Sequence, residues 1–94
     1  MIKVIFTYDV AEKKQQQYFA DTAEIIKPFW EEHGCSSYSV WQIDDVSPVF
    51  VKEMLFEDQQ SRGRASTDPR ASEVVALFSK YAINVERRVY TQMV

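Results

Sequence analysis

Cysteine, histidine, glycine and proline are scarce in this chain, and the shortages exclude several kinds of protein. Its 94 residues include one cysteine, one histidine, two glycines and three prolines. A lone Cys35 cannot form an intramolecular disulfide, and His33 has no second histidine or cysteine at metal-binding spacing, so we expect no metal. The 46% of hydrophobic and 14% of aromatic residues indicate a compact globular chain. We expect one domain over residues 1–94.

The chain also lacks a block of like charge and a long apolar run. Fourteen acidic and 11 basic residues give a net charge of -3. The densest basic stretch contains Arg62, Arg64 and Arg70 without interleaved aromatics, which is typical of a solvated helix surface, so we expect no nucleic-acid binding. No apolar run approaches the roughly 18 to 20 residues that span a bilayer, and no secretory leader is recognisable. We therefore expect no membrane insertion and a cytoplasmic location.

The chain does contain a regular succession of strand and helix patterns. A period of two predicts strands, and a period near 3.6 predicts helices. Asp58 is predicted to cap a short helix. The predicted order is strand 2–9, helix 11–33, strand 35–43, turn 44–48, strand 49–56, short helix 59–65, helix 69–81 and strand 84–94.

The first predicted helix has an apolar stripe and one interruption. Pro28 removes a backbone donor and crowds the preceding turn, which predicts a kink over residues 24–27 or a restart at Pro28. Gly34 is predicted to end the helix in the left-handed conformation. The predicted buried stripe consists of Phe19, Ala23, Ile26, Trp30 and His33.

The order of elements predicts a ferredoxin-like α+β sandwich, βαββαβ, with a four-stranded antiparallel sheet and two helices on one face. The other face of such a sheet usually carries polar residues at every second position. The third strand instead has Val51 and Leu55 on one face and Phe50 and Met54 on the other. Each apolar side chain left in water forgoes roughly 1.5 to 3 kcal/mol. We therefore expect a second copy of the chain to cover this face as a homodimer.

Three short motifs add a family resemblance to this architecture. Glu31-Glu32-His33-Gly34 ends a helix directly before the strand Cys35-Ser36-Ser37-Tyr38, and Phe56-Glu57-Asp58 leads into the second helical region. In these motifs, in length and in element order, the chain resembles the dimeric α/β-barrel superfamily, and most closely its antibiotic biosynthesis monooxygenase-like branch. The resemblance implies two sheets packed face to face and a ligand pocket between the sheet and the helices of each subunit.

The resemblance leaves several activities open. Known members include cofactor-free monooxygenases of polycyclic phenols, heme-degrading enzymes, isomerases, decarboxylases, and binding or regulatory domains. Many members have a histidine in the second helical region, where this chain has Ser61-Arg62-Gly63-Arg64-Ala65. This difference argues against the histidine-dependent activities, and we expect no cofactor.

Two residues are candidates for proton transfer. His33 is the only histidine of the sequence and a candidate acid or base. In the last turn of a helix it also suits a structural role, as a cation that complements the helix dipole. Glu53 is a carboxylate on the apolar strand face that includes Val51 and Leu55. It is a candidate general base, or else a member of a buried ion pair or interface hydrogen bond with Arg87.

Three aromatic residues, Tyr38, Trp41 and Tyr90, are candidates for lining a substrate pocket, although strand aromatics are commonly core residues.

The leading hypothesis is a cytoplasmic homodimer that binds a small apolar or aromatic molecule, with its activity undetermined. The first alternative is a cofactor-independent monooxygenase of aromatic or polyketide-like phenols. In that alternative Tyr38 and Trp41 position the substrate, and His33 or Glu53 accepts a proton. The second alternative is a structural or regulatory interaction domain, in which protein side chains fill the pocket.

Overall fold

The computed structural model describes residues 1–44 and 50–94, and its elements follow the expected order. Most of the predicted turn at residues 44–48 lies outside the described residues. The last strand begins and ends earlier than the predicted range 84–94. The strands are β1 (Ile2–Val10), β2 (Cys35–Gln42), β3 (Phe50–Phe56) and β4 (Ala82–Thr91). The helices are α1 (Gln15–Asp21), α2 (Lys27–Glu32), α3 (Gln59–Thr67) and α4 (Ala71–Tyr81).

The four strands form one sheet in the order β2-β3-β1-β4, and all neighbouring strands are antiparallel. Each helical region crosses between two parallel strands that have a third strand inserted between them, as in a split βαβ unit. The ferredoxin-like α+β class predicted from the sequence is therefore confirmed. We call the face on which the helices pack the covered face, and the opposite face the open face.

Aromatic rings fill the core on the covered face. Phe78 of α4 packs edge-on against Phe6 and Tyr8 of β1, with ring centroids 5.7 and 5.0 Å apart. Tyr8 is fully buried beside Tyr18 of α1, and their hydroxyl groups are hydrogen-bonded to each other. Burial raises the pKa of both phenols, so they are neutral hydrogen-bonding groups. Edge-to-face packing joins β1, α1 and α4 into one core.

A π-helical segment, Thr22–Ile26, joins α1 to α2 directly before Pro28. The N–H of Lys27 donates to the carbonyl of Thr22, five residues back, which widens the turn where the ring of Pro28 would crowd an α-helix. The predicted irregularity over residues 24–27 therefore takes the form of a π segment.

The π segment also makes the predicted buried stripe wrong in the first half of the helix. Phe19 and Ala23 are exposed, whereas Tyr18 and Thr22 are buried. A π segment contains one more residue than the corresponding α turn, so the inward face before it is displaced by one position. After the segment the prediction is correct for Trp30, which is buried.

Two predicted helix boundaries are confirmed. Gly34 has a φ of +104°, the left-handed conformation that ends α2. A side chain there would also approach the backbone of Ser61. Asp58 caps α3, because its Oδ1 accepts a hydrogen bond of 2.7 Å from the backbone N–H of Ser61.

The open face is rich in apolar side chains, as the alternation of β3 predicts. Ile5, Val51 and Leu55 are half-buried, while Trp41 is 59% and Tyr90 46% exposed. Strand β4 is exposed on both faces after Ala82. A strand with so little cover is unusual in an isolated sheet, because its apolar groups remain in water.

Candidate functional site

A cavity of about 170 Å³ lies on the covered face, between the sheet and the helices. This is where the family resemblance implies a ligand pocket. Strands β1 and β3 form its floor, α2, α3 and α4 form its opposite wall, and β4 closes one side. Its lining residues are Val4, Phe6, Trp30, Lys52, Met54, Phe56, Arg62, Ser66, Val74, Val75, Phe78 and Arg87.

Lys52 is the most unusual residue of this cavity, because it is a charged residue type at a core position of β3. It is only 4% exposed. Its Nζ lies 4.0 Å from the ring centroid of Phe6 and 3.5 Å from that of Phe78. Among the described residues it makes no hydrogen bond and no ion pair. Buried lysines normally have such partners. Because Lys52 has none among the described residues, its amine can form a hydrogen bond or ion pair with a ligand.

Burial lowers the pKa of Lys52 from 10.5 to about 7, because the ammonium form loses its hydration. The ring faces of Phe6 and Phe78 oppose this effect by cation–π attraction, which contributes roughly 0.5 to 2 kcal/mol. Near neutral pH, Lys52 therefore exchanges between an amine that accepts a proton and an ammonium that attracts an anion.

The cavity opens to solvent beside two arginines. Arg87 of β4 is exposed, Arg62 of α3 is partly exposed, and Val75 of α4 is half-exposed at the same opening. Lys52 and Arg87 both pair in register with Phe6, so they lie on either side of it on the covered face. No carboxylate is present among the described residues that line the cavity. The cavity is thus apolar in its walls and positive in its charge.

His33 lies away from this cavity and has both ring nitrogens engaged. Its Nδ1 lies 2.6 Å from the carbonyl oxygen of Phe29, and its Nε2 lies 3.0 Å from Oδ2 of Asp68. Its ring also stacks on Phe29, with centroids 4.3 Å apart. These contacts join the end of α2 to the connection between α3 and α4. They are the kind of contact that a structural role requires, and a role of His33 in proton transfer stays a prediction.

Glu53 is on the open face, next to Ile5 of β1 and Ser39 of β2. It is half-buried and makes no hydrogen bond or ion pair within residues 1–44 and 50–94. Arg87 pairs with Phe6 on the covered face, so it cannot be the partner of Glu53 within one chain. The arginine on the face of Glu53 is Arg88, which pairs with Ile5 from the other side.

The three candidate aromatics do not line one pocket. Tyr38 is buried on the covered face with its ring centroid 5.6 Å from Lys52 Nζ, and its hydroxyl has no hydrogen-bond partner among the described residues. Trp41 borders a groove at the β2 edge that Tyr38 also touches. Tyr90 instead lines a groove on the open face, with Leu55 and Ile5. Their roles in binding remain predictions.

The sequence analysis did not identify Lys52, which is the most deeply buried charged residue that lines the cavity. The sequence does contain a sign of it, because Lys52 is at every second position with Phe50, Met54 and Phe56 and therefore shares their face of the strand. The sequence pattern instead singled out Glu53, the charge on the opposite face. The element order predicted that the helices cover one face of the sheet, but not which residues of β3 lie on it, and the structure places Lys52 there.

The structure also describes the remaining sequence candidates. Cys35 is buried, and desolvation raises the pKa of its thiol, so it packs in the core as a small apolar side chain. No group of three or more potential metal-ligating side chains is found in the described part of the chain. Within the same residues, no helix is long and apolar enough to cross a membrane.

Comparisons with known proteins reveal likeness in structure. No family model matches the sequence, and no curated protein matches it. A conserved protein from Methanosarcina mazei Go1 is 21% identical with a TM-score of 0.79, over 97% of this chain and 91% of that one. An antibiotic biosynthesis monooxygenase is 14% identical with a TM-score of 0.76, over 99% of both chains. A variant of SnoaB, a cofactor-independent oxygenase from Streptomyces nogalater, is 17% identical with a TM-score of 0.77, over 98% and 92%.

These likenesses define the class of fold. The chain has a ferredoxin-like fold, which it shares with these solved structures, among them an antibiotic biosynthesis monooxygenase. The resemblance stated from the sequence is thereby confirmed at the level of fold. Since a fold of this kind supports many unrelated functions, the activity has to be argued from the cavity.

Proposed function

We propose that the protein is a cytoplasmic homodimer that binds a small apolar or aromatic molecule in the cavity of each subunit. The observation that carries this proposal is the cavity itself, which combines apolar walls with the buried amine of Lys52, and that amine has no hydrogen-bond or ion-pair partner in the described part of the chain. Sites for small molecules commonly have this composition, a mainly hydrophobic lining with a few polar groups that fix orientation. Protein side chains leave this space open. This favours the binding function over the purely structural alternative, in which side chains would occupy the space.

The size of the cavity limits the ligand. A volume of about 170 Å³ is close to that of an engineered protein cavity of about 150 Å³ that binds benzene. It is smaller than the roughly 300 to 1,000 Å³ of sites for drug-sized molecules. A single aromatic ring with one small substituent therefore fits, and a larger ligand would have to extend past Val75 into solvent.

The homodimer is supported by the apolar open face and by the exposure of β4. The charges on this face also suit a two-fold arrangement. Ser39, Glu53, Ile5 and Arg88 form one row across the sheet, so Glu53 and Arg88 flank Ile5. A two-fold axis running along β1 would place each Glu53 opposite Arg88 of a second copy. Such complementary pairs fix register in self-complementary interfaces.

Light scattering on the purified chain tests the assembly. The expected mass is twice the 11.0 kDa of one chain, and a monomer at micromolar concentration contradicts it.

Binding is tested with single-ring aromatics, by following amide NMR shifts of residues around Phe6 and Phe78. The variant Val75→Phe should block the cavity opening and weaken binding. The matched control Val85→Phe, at an exposed position of β4 that does not line the cavity, should bind as the original protein does.

Cofactor-independent oxidation of aromatic or polyketide-like phenols is the second candidate function. It is supported by the structural likeness to a cofactor-independent oxygenase and by an amine in the cavity that can accept a phenolic proton. Lys52 is better placed for that role than His33 or Glu53, neither of which lines the cavity. Oxygen uptake with anthrone-like substrates, without added metal or flavin, is the test. Absence of turnover across such a panel would count against this function and leave simple binding.

A further inference from the structure

The charges that line the cavity all have one sign. Lys52, Arg62 and Arg87 are cationic types, and the described lining includes no acidic residue. The whole chain has a net charge of -3, so this positive cluster runs against the average of the molecule. A concave site with walls of low polarity and charge of one sign attracts ligands of the opposite sign.

Lys52 is the innermost charged residue of this positive cluster, and the two arginines lie nearer the opening. Its Nζ is surrounded by the rings of Phe6, Phe78 and Tyr38, while Arg62 and Arg87 lie toward the opening. An entering anion therefore first meets the two arginines and then an amine that has no counter-ion among residues 1–44 and 50–94. The cost of burying Lys52 as an ammonium is offset only when a ligand brings the negative charge.

We infer that the cavity binds a small aromatic anion, with the ring against Phe6 and Phe78 and the anionic oxygen at Lys52 Nζ. The inference rests on the proposed function, because it names the chemistry of the molecule that the same cavity binds. A carboxylate arrives as an anion and pairs with the ammonium form. An un-ionised acid instead transfers its proton from oxygen to the neutral amine and forms the same ion pair.

Other titratable groups near Lys52 do not supply this charge. Tyr38 and Cys35, both on β2, are neutral near pH 7 because burial raises the pKa of each group. The parts of β1 and α4 that line the cavity contribute only apolar side chains, and Arg62 and Arg87 are cations. Lys52 is thus the group of the cavity whose protonation should change when an anion binds.

Calorimetric titration with benzoate and with benzamide, its neutral counterpart of similar shape, tests the inference. Benzoate should bind at least roughly tenfold more tightly than benzamide, the gain typical of a hydrogen bond to a charged group. Above about pH 7, the affinity for benzoate should fall by about tenfold per pH unit, because the bound amine must be protonated. NMR of the Lys52 side chain should show an ammonium at pH 8 with benzoate and an amine with benzamide.

Lys52→Met keeps a long apolar side chain and should remove both the preference for benzoate and its pH dependence. Lys3→Met, on the open face, is the matched control and should change neither. Equal binding of the two probes, or a preference for benzoate that survives in Lys52→Met, would overturn the inference while leaving the cavity a binding site. If neither probe binds, the proposed binding function itself fails.

Discussion

Lys52 and Glu53 are neighbours in β3, and they show how differently the two faces of the sheet are built. Lys52 lies on the covered face, is 4% exposed and contacts aromatic rings. Glu53 lies on the open face, is half-buried and adjoins Ile5. The covered face thus contains a charge where apolar residues would be more stable, and the open face exposes apolar residues such as Trp41 and Tyr90.

The buried charge on the covered face and the exposed apolar residues on the open face call for different explanations. A buried lysine without a described partner destabilises the fold of one chain, which is consistent with the proposed ligand inside that chain. Exposed aromatics and aliphatics forgo the stabilisation of burial within one chain and so favour association between chains. In the proposed function, the covered face binds the ligand and the open face forms the dimer.

Replacing the buried charge should have the largest effect. Lys52→Met should raise the free energy of unfolding at pH 6 to 7 by on the order of 3 kcal/mol, because the unfolded chain no longer gains hydration of an ammonium. Lys3→Met, the same substitution on the open face, should change it by no more than about 0.5 kcal/mol. Urea denaturation followed by circular dichroism measures both values. Equal effects at the two positions would contradict the contrast between the faces.

The pH dependence of stability is a second test of Lys52. The pKa of its side chain is about 7 in the folded chain, against the ordinary lysine value of 10.5 that applies when the chain is unfolded. Between these values the unfolded chain binds more protons, so the contribution of Lys52 to stability should rise as pH increases from 7 to 9. Below pH 7 the lysine is protonated in both states and its full destabilising effect is present. The advantage of Lys52→Met over the original chain should therefore shrink between pH 7 and pH 9, and a constant difference would refute the low pKa.

Reversing one charge on the open face should weaken the proposed dimer. Glu53→Arg would place two arginines opposite each other at each of the two symmetry-related sites and should raise the dimer dissociation constant by roughly tenfold to a hundredfold. Arg88→Glu should act similarly, and the double variant should recover most of the affinity. Analytical ultracentrifugation measures these constants. Additive losses in the double variant would exclude the proposed pairing.

Removing the contacts of His33 should have a moderate effect on stability and none on binding. His33→Ala loses the contacts with the carbonyl of Phe29 and the carboxylate of Asp68, which should lower the free energy of unfolding by about 1 kcal/mol. Benzoate affinity should stay unchanged, because His33 does not line the cavity. A large loss of affinity or of turnover in a stably folded His33→Ala would restore it as a chemical candidate.

The smallest predicted effect concerns the hydroxyl of Tyr38, which has no hydrogen-bond partner in the described part of the chain. Tyr38→Phe removes a buried polar group without a described partner and should increase stability by about 0.5 kcal/mol. Tyr8→Phe is the control, since it breaks the hydrogen bond to Tyr18 and should decrease stability by about 1 kcal/mol. Thermal unfolding of the two variants compares them, and a loss in Tyr38→Phe would indicate an unseen partner of that hydroxyl.

Local signals in the sequence predicted much of the fold. The alternation in β1 and β3, the cap at Asp58 and the left-handed Gly34 each depend on a few neighbouring residues, so they can be read directly. The buried stripe of the first helix was predicted less well. Pro28 indicated an irregularity, but its form as a π segment over Thr22–Ile26 decided that Tyr18, and not Phe19, faces inward.

The candidate site was harder to predict, because its parts come from distant segments. Tyr38, Trp41 and Tyr90 have similar chemistry in the sequence, yet they lie in separate places. Arg87 and Arg88 are neighbours, and the pairing of β4 with β1 decides which one shares a face with Glu53. Register between strands far apart in the chain cannot be derived from alternation alone.

By itself, the sequence determined the order of the elements and the presence of apolar residues on both faces of the sheet, because these features follow from short periodic patterns. The tertiary structure decided that Lys52 meets Phe6 of β1 and Phe78 of α4, that Arg62 and Arg87 share its cavity, and that no described carboxylate does. The physical reason is that the charge state and availability of a side chain depend on its surroundings, which only packing brings together.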